Sequence, residues 1–245
     1  MSILIIGESC RDVFWYGDCS RMCPEAPAPV FTPLHYTDNG GMAMNVKSNI
    51  EALGYDCDII TNKNWKEITK TRYIHKHTNS LFIRIDEGDD KVPRCKVTKI
   101  NLSRYDLIVI SDYCKGFLLE EDIEYIARNH SCVFLDTKKD LGIWCDHINF
   151  IKINNIEYER AKNRITPKMR EKMIITLGQD GCLYRDKIFP VEKVEIKDVA
   201  GAGDTFLAGL IVKYSETRSM EEAAIFANEC ATQVVQRRGV STCKK

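Results

Sequence analysis

The chain has 245 residues with 35 basic and 35 acidic side chains, and the formal net charge of zero argues against nucleic-acid binding through a basic surface. Hydrophobic residues make up 44% and charged residues 29%, which is ordinary globular usage and excludes extensive disorder. The apolar runs are short, as at Leu107–Ile110, and Met1 leads almost directly into the apolar run Ile3–Ile6. We therefore expect no membrane span and no signal peptide, and we predict a cytoplasmic protein.

The eleven cysteines include no Cys-x-x-Cys pair. Disulfide frameworks are typical of small secreted domains, and a structural zinc site needs closer groups of ligands. We therefore predict reduced thiols that pack as small hydrophobes. Cys114 is the one cysteine that we expect near a ligand, because it lies within a candidate site loop discussed below.

Short apolar runs alternate with amphipathic stretches along the chain. Six runs predict buried strands: Ile3–Ile6, Cys57–Thr61, Leu107–Ser111, Cys132–Asp136, Ile148–Lys152 and Met173–Leu177. Four apolar stripes predict helices: Ala43–Leu53, Leu118–Arg128, Phe206–Tyr214 and Ala223–Val235. This alternation predicts a mostly parallel sheet covered by helices on both faces, with ligands beyond the carboxyl ends of the strands.

Two segments break the alternation. Residues 12–37 contain four prolines, which disfavour a helix and favour extended edge structure. Thr71–His77 and Ser80–Asp86 flank a short turn and predict a hairpin. We interpret these segments, about 12–37 and 71–100, as a small β lid beside the parallel core.

The strongest indication of a functional site is Asp-Val-Ala-Gly-Ala-Gly-Asp-Thr at residues 198–205, directly before the third helical stripe. The first N–H groups of a helix lack internal partners and, with the helix dipole, bind anions such as a phosphoryl group. Asp204 lies in this first turn and could take the proton of an attacking hydroxyl. The structural alternative is a glycine-rich helix entry with an acidic cap. No Gly-Lys-Ser/Thr follows, so this is not a Walker loop.

A second candidate is Gly40-Gly41, which opens the first predicted helix. A glycine pair admits a small ligand against the backbone, and Asn45 offers a donor and an acceptor to hydroxyl groups. By itself a Gly-Gly pair before a helix is more often a turn than a site.

Taken together, Gly-Gly-x-x-x-Asn and Asp-x-x-Gly-Ala-Gly-Asp resemble the ribokinase-like (PfkB) family of carbohydrate kinases. Three further segments narrow the resemblance to the heptose-phosphate kinase half of bifunctional ADP-heptose synthases: Asp12–Val30, Ser111–Gly116 and Asp136–Lys138. The resemblance runs from about Ile3 to about Thr242. It implies an α/β ribokinase-like three-layer fold with a mostly parallel sheet and a small β lid, in a single domain over residues 1–245.

The resemblance also implies an activity, which is ATP- and Mg²⁺-dependent phosphorylation of a sugar or sugar phosphate. The resemblance to heptose-phosphate kinases implies D-glycero-D-manno-heptose 7-phosphate as the acceptor, phosphorylated at its anomeric hydroxyl. Two alternatives stay open: a kinase of another sugar or nucleoside on the same fold, and a catalytically silent binding relative. We expect a small-molecule partner, with no nucleic acid and no membrane, and a homodimer through the lid strands.

The family's site residues map onto this chain as follows. The resemblance implies that Asp204 is the general base and that the N–H groups of Gly201, Ala202 and Gly203 form the anion hole. The residues implied to bind the sugar are Asp12, Gly40, Gly41, Asn45, Asp112 and Lys115. Those implied to bind the nucleotide are Asn154, Glu157, Lys138, Thr176, Gly178, Gly181 and Asn228. Glu157 is also implied to hold Mg²⁺ through water, and K⁺ is a further candidate near Asp198. As structural alternatives, Asn154 and Glu157 could simply begin a helix, and exposed lysines are usually solvated.

The sequence departs from the family pattern in several places. Only Asn62–Lys70 separates the second predicted strand from the hairpin, so about one helix-and-strand unit of the family is missing. Glu8 replaces an aspartate, Thr137 a proline and Thr232 a glycine. These 245 residues include no counterpart of the nucleotidyltransferase half. We therefore expect a trimmed kinase in which substrate or activity could be changed.

Overall fold

The structure, a computed structural model, describes residues 1–244. Its strands in chain order are β1 (Ile3–Gly7), β2 (Arg11–Met22), β3 (Pro29–Asn39), β4 (Asp58–Ile60), β5 (Thr69–His75), β6 (Leu81–Glu87), β7 (Leu107–Asp112), β8 (Val133–Thr137), β9 (Phe150–Asn154), β10 (Met173–Thr176), β11 (Cys182–Tyr184) and β12 (Lys187–Phe189). Its helices are α1 (Gly41–Ala52), α2 (Glu120–Asn129), α3 (Asn155–Ala161), α4 (Pro167–Arg170), α5 (Ala202–Thr217) and α6 (Met220–Val235).

The larger sheet has the strand order β12-β11-β10-β9-β8-β7-β1-β4. The pairs from β4 to β10 are parallel, whereas β11 and β12 are antiparallel to their neighbours. The strands β1, β7 and β8 are buried along their whole length, which is expected when helices cover both faces of a sheet. The predicted α/β class with a mostly parallel sheet is therefore confirmed.

Two hydrophobic clusters flank this sheet and make the three layers. One contains side chains of α1, α5 and α6, packed on one face of β1 and β7 through residues such as Ile5 and Val109. The other contains side chains of α2, with Leu4 and Ile110 from the opposite face of the same strands. Successive residues of a strand point to opposite faces, so a continuous apolar run can serve both layers. Within residues 1–244 no helix is both long and apolar enough to cross a bilayer.

The two irregular segments form a second sheet, in the order β3-β2-β5-β6. β2 pairs with β5 in parallel, and the other two pairs are antiparallel. Every residue of β6 is exposed, including Leu81 and Ile83 at 54% each. This sheet is the small β lid of the predicted fold. Residues 88–100 contain no strand but only short 3₁₀ turns.

Several boundaries differ from the sequence-based expectation. β9 begins at Phe150 and ends at Asn154, two residues later than predicted, because its register is set by pairing with β8 and β10. Ile148 is fully buried all the same, in the cluster below α2. The sequence analysis missed the hairpin of β11 and β12. Its two turn residues, Arg185 and Asp186, have positive φ without the Asn-Gly or Asp-Gly signature of such turns.

The connection between β4 and β5 is as short as the sequence indicated. It holds a single 3₁₀ turn, Trp65–Glu67, and β4 is the edge strand of the larger sheet. The family's extra helix and strand therefore have no counterpart in this part of the fold.

Candidate active site

The first turn of α5 carries the predicted general base. Gly201 precedes the helix with φ +76°, a left-handed conformation, and a Cβ atom there would lie 2.9 Å from Nδ2 of Asn45. Asp204 is buried. Its Oδ2 accepts a hydrogen bond from Nδ2 of Asn45 at 2.7 Å, and its Oδ1 accepts one from the hydroxyl of Tyr113 at 2.8 Å. The structure thus brings Asp204, Asn45 and the loop after β7 together.

Burial and hydrogen bonding act on Asp204 in opposite directions. Burial raises the pKa of this carboxyl above its ordinary value, and the two hydrogen bonds from Asn45 and Tyr113 offset part of that rise. Asp136 raises the pKa further and Lys152 lowers it. A carboxyl with a raised pKa is a stronger base once ionised, which suits the removal of a proton from an alcohol.

The glycine pair forms a tight turn into α1. Gly41 has φ +39°, and a Cβ atom on it would lie 2.7 Å from Sγ of Cys10 and 3.2 Å from Cβ of Asp12. Only glycine fits this close approach of α1 to β2. The N–H of Gly41 donates to Oδ1 of Asn39 at 2.8 Å. Gly40, Gly41 and Asp12 therefore lie together, as predicted for residues that bind one ligand.

A cavity of about 460 Å³ lies beside this turn. Gly40 and Asn45 line it, and the C-terminal segment around Val240 closes it. Asp204 does not line this cavity itself but accepts the hydrogen bond from Nδ2 of Asn45. Of the residues predicted to bind the sugar, Gly40 and Asn45 line this cavity, whereas Asp12 and Gly41 do not.

The charged side chains near Asp12 are mutually paired. Asp12 forms an ion pair with Arg72 on β5, and burial raises the pKa of Asp12 in spite of that partner. Lys115 pairs with Asp89 at 2.6 Å, and the buried Lys70 shares the same aspartate. Lys115 therefore lies beside the lid and not in the cavities next to Asp204. Its role as a sugar ligand stays a prediction.

A second cavity, of about 450 Å³, is lined by Asp204 itself. Its wall includes an ion pair between Asp136 on β8 and Lys152 on β9, with 2.6 Å between Oδ2 and Nζ. Lys138 also lines it and pairs with Glu157. Asp136 and Glu157 together raise the pKa of Lys138, although its burial acts in the opposite direction. Two ammonium groups beside a helix N-terminus suit the phosphates of a nucleotide.

Asn154 and Glu157 form a capping box at the start of α3. The N–H of Glu157 donates to Oδ1 of Asn154 at 2.8 Å, and the N–H of Asn154 donates to Oε2 of Glu157 at 2.9 Å. Asn154 and Glu157 therefore do begin a helix, as the structural alternative predicted. This does not exclude the functional role, because Oε1 of Glu157 meets Lys138 and Asn154 lines the second cavity.

A third cavity, of about 460 Å³, adjoins the second and has a largely apolar wall. Thr176, Gly178 and Gly203 line both, so the two form one continuous cleft. Gly178 and Gly181 have φ of +62° and +90°, and they form the turn after β10. Asn228 lines the third cavity and donates from Nδ2 to the carbonyl of Phe189 at 2.8 Å. All four nucleotide residues predicted here therefore lie around this cleft.

The proposed anion hole is only partly free. The N–H of Ala202 donates to the carbonyl of Val199 at 3.2 Å, so Gly201 and Gly203 are the better candidates within the predicted trio. Asp198 shapes this loop, since its two oxygens accept from the N–H groups of Ala200 and Gly239. That arrangement leaves the K⁺ expectation near Asp198 as a prediction.

Asp112, at the end of β7, is buried and does not line the cavities described above. Its oxygens accept from the hydroxyl of Thr137 and from Nζ of Lys139, the latter at 2.7 Å. The geometry gives it a supporting role for the loops after β7 and β8. Its role as a sugar ligand stays a prediction.

Sequence reasoning assigned no site role to four polar residues: Glu8, Tyr113, Asp136 and Lys152. Glu8 was noted only as a departure from the family pattern, and Tyr113 and Asp136 only as parts of segments that carry the resemblance. Lys152 did leave a signal, since it is a charged residue between Ile151 and Ile153 in an otherwise apolar strand. A buried lysine in such a position needs a partner, and Asp136 on the neighbouring strand supplies it.

The chain has the ribokinase fold. The ribokinase of Thermotoga maritima superposes with a TM-score of 0.74 at 18% identity, covering 98% of this chain and 94% of that one. An uncharacterized sugar kinase from Pyrococcus horikoshii, solved in complex with ATP, gives 0.67 at 16% identity, covering 99% and 95%. Residues 42–245 match the pfkB family of carbohydrate kinases. The chain belongs to that family, which confirms the prediction of a phosphotransferase with an alcohol acceptor.

Among curated proteins the chain is similar to the bifunctional protein HldE of Nitratiruptor sp., with 27% identity over 290 residues. The alignment covers 98% of this chain and 62% of the relative, so the chain spans about three fifths of that protein. An alignment of 290 positions exceeds the 245 residues of the chain, so the relative carries segments that this chain lacks.

Proposed function

We propose that the protein transfers the γ-phosphoryl group of ATP to a hydroxyl of a sugar phosphate, with D-glycero-D-manno-heptose 7-phosphate as the acceptor at its anomeric position. The observation that carries the kinase assignment is the place of Asp204. Asp204 is buried and lines the second cavity, and its carboxylate accepts a hydrogen bond from Asn45, which lines the cavity beside Gly40. A base that lines one cavity and is hydrogen-bonded to a residue of another can serve a phosphoryl donor and an acceptor bound in the two.

The residues would act in the following way. The apolar cavity at Asn228 takes the adenine, and Lys138 and Lys152 hold the phosphates. Asn45 orients the acceptor hydroxyl beside Asp204, which removes its proton. The N–H groups at the start of α5 stabilise the charge on the phosphoryl group during its transfer.

The residues present fit a magnesium ion that is bound mainly through the nucleotide. Mg²⁺ in kinase sites uses one or two carboxylates together with phosphate oxygens and water. Asn154 lines the cleft, and Glu157 pairs there with Lys138, so its carboxylate would have to exchange that partner to hold the ion; no cluster of three acidic, histidine or cysteine side chains occurs among residues 1–244. When bound, the ion neutralises charge on the β- and γ-phosphates.

Two observations support a phosphorylated heptose as the acceptor. The segments Asp12–Val30 and Ser111–Gly116 resemble heptose-phosphate kinases, and the curated relative HldE aligns with nearly the whole chain. Arg72, Lys70 and Lys115 gather beside Asp12, although each already pairs with a carboxylate. An acceptor phosphate would have to exchange with these carboxylates, so acceptor charge is the property to test.

The test is a coupled assay of ADP release with ATP, Mg²⁺ and a panel of acceptors. The panel contains the heptose 7-phosphate, its unphosphorylated heptose, ribose, fructose 6-phosphate and a nucleoside. We expect the highest kcat/KM for the heptose 7-phosphate, and Asp204→Asn serves as the inactive control. Preference for a neutral sugar or a nucleoside would contradict the acceptor assignment and leave the kinase assignment intact.

Calorimetric titration with a non-hydrolysable ATP analogue separates the kinase from a silent relative. Turnover on a member of the panel supports the kinase. Nucleotide binding without turnover on any acceptor would contradict it.

A further inference from the structure

The loop after β7 places a tyrosine on the general base. The Tyr113 hydroxyl donates to Oδ1 of Asp204 at 2.8 Å, across 91 positions of the sequence. Burial and the neighbouring charge of Asp204 raise the pKa of Tyr113 well above its ordinary value. The phenol therefore keeps its proton and is the donor in this hydrogen bond at any working pH.

Glu8 follows β1, is fully buried and holds the backbone of this loop in place. Its Oε2 accepts from the N–H of Tyr113 and its Oε1 from the N–H of Lys115, both at 2.9 Å. Between them, Cys114 has φ +58°, which is unfavourable for a residue other than glycine. Such a conformation persists only where its surroundings hold it, and the Glu8 carboxylate bonds the amides on both sides.

We propose that Tyr113 is a positioning residue for phosphoryl transfer, holding the Asp204 carboxylate in one orientation, and that Glu8 fixes Tyr113 in place. This inference rests on the proposed kinase function. Asn45 already donates to Oδ2 of Asp204. Without the tyrosine, that single hydrogen bond alone would hold the orientation of the carboxyl group. The hydroxyl also stabilises the ionised form of Asp204, which is the form that accepts the proton.

The other charged groups that face Asp204 are Asp136 on β8, Lys152 on β9 and Lys138 in the loop after β8. Removal of the tyrosine hydroxyl leaves all three in place. A change in the titration of Asp204 in a Tyr113→Phe variant would therefore report the lost hydrogen bond.

The experiment compares Tyr113→Phe with the wild type in two measurements. The first is the pH profile of kcat/KM with the best acceptor. Loss of a donor to the ionised form raises the pKa of Asp204, so we expect the acidic limb to move up by about one pH unit. We also expect kcat to fall about tenfold, with little change in the KM for ATP.

The second measurement needs no activity. The ¹³Cγ chemical shift of Asp204, assigned by its loss in Asp204→Asn, is followed against pH in the free protein. We expect the same upward shift in Tyr113→Phe. Glu8→Gln, which weakens the support of the loop, is expected to shift the titration in the same direction by a smaller amount.

Tyr105→Phe is the matched control, because its hydroxyl donates to Asp58 at 2.8 Å far from the cleft. An unchanged titration of Asp204 in Tyr113→Phe, or an equal change in Tyr105→Phe, would overturn the inference. If the wild type phosphorylates no acceptor, the proposed function fails, and the carboxyl titration still decides the role of Tyr113.

Discussion

Asp136 and Lys152 form a buried ion pair across two parallel strands, with 2.6 Å between Oδ2 and Nζ, at the start of α5. A Cβ atom on Gly203 would lie 3.2 Å from that ammonium group. The second oxygen of Asp136, Oδ1, is buried without a hydrogen-bond partner within the described chain. The ammonium group of Lys152 therefore lies beside the helix N-terminus, where the phosphates are expected, with the carboxylate of Asp136 as its partner.

Substitution of Lys152 should impair both stability and nucleotide use. Lys152→Met leaves Asp136 buried and unpaired, which costs about 3–5 kcal/mol in comparable cases. We expect a lower Tm and a higher KM for ATP. Addition of Asp136→Asn should restore most of the Tm and leave the KM high. Lys187→Met, which removes an exposed pair of the same 2.6 Å length with Glu221, is the control and should change neither.

Asp204→Asn should lower turnover and raise stability at the same time. Loss of a general base costs about 10²- to 10⁴-fold in rate. The folded state raises the pKa of Asp204, so between the unfolded and folded pKa values the folded state binds more protons. Stability therefore falls as pH rises through that window, and the asparagine avoids this loss. Thermal melts of both proteins at acidic and neutral pH measure this difference in stability. A Tm of Asp204→Asn below that of the wild type at neutral pH would contradict the predicted direction.

Gly201→Ala should affect activity through Asn45. An alanine at φ +76° costs about 1–2 kcal/mol, and its Cβ would press on the amide that holds Asp204. Gly54→Ala is the matched control, since its φ is +86° but no atom lies within 4 Å of the added Cβ. We expect similar backbone strain in both and loss of kcat only in Gly201→Ala. Equal kcat in the two variants would show that Gly201 is needed for the turn alone.

Glu157→Gln separates the cap of α3 from the predicted magnesium role. Glutamine also completes a capping box, so Tm should stay close to that of the wild type. The lost charge should raise the Mg²⁺ concentration needed for half-maximal activity several-fold. A fall in Tm with unchanged Mg²⁺ dependence would mean that Glu157 only caps the helix.

Local sequence patterns determined the elements of the fold and part of the site. The alternation of apolar runs with helical stripes predicts parallel strands under two helical layers, because those periods follow directly from backbone geometry. The glycine-rich entry into α5 predicts a first turn with Asp204 in it for the same reason. The edge of the larger sheet was harder to predict. The strands β11 and β12 were missed because three-residue strands leave almost no periodic signal.

Tertiary structure decided which residues meet at the base. Asn45 lies 159 positions from Asp204 and Tyr113 lies 91, and neither distance has a local signature. The parallel order of the strands brings Glu8, Tyr113, Asp136 and Lys152 to one edge of the sheet, where each buried polar group needs a hydrogen-bond or ion-pair partner. Periodicity specifies how a segment folds, whereas the pairing of buried polar groups depends on strand order and register, which no single segment encodes.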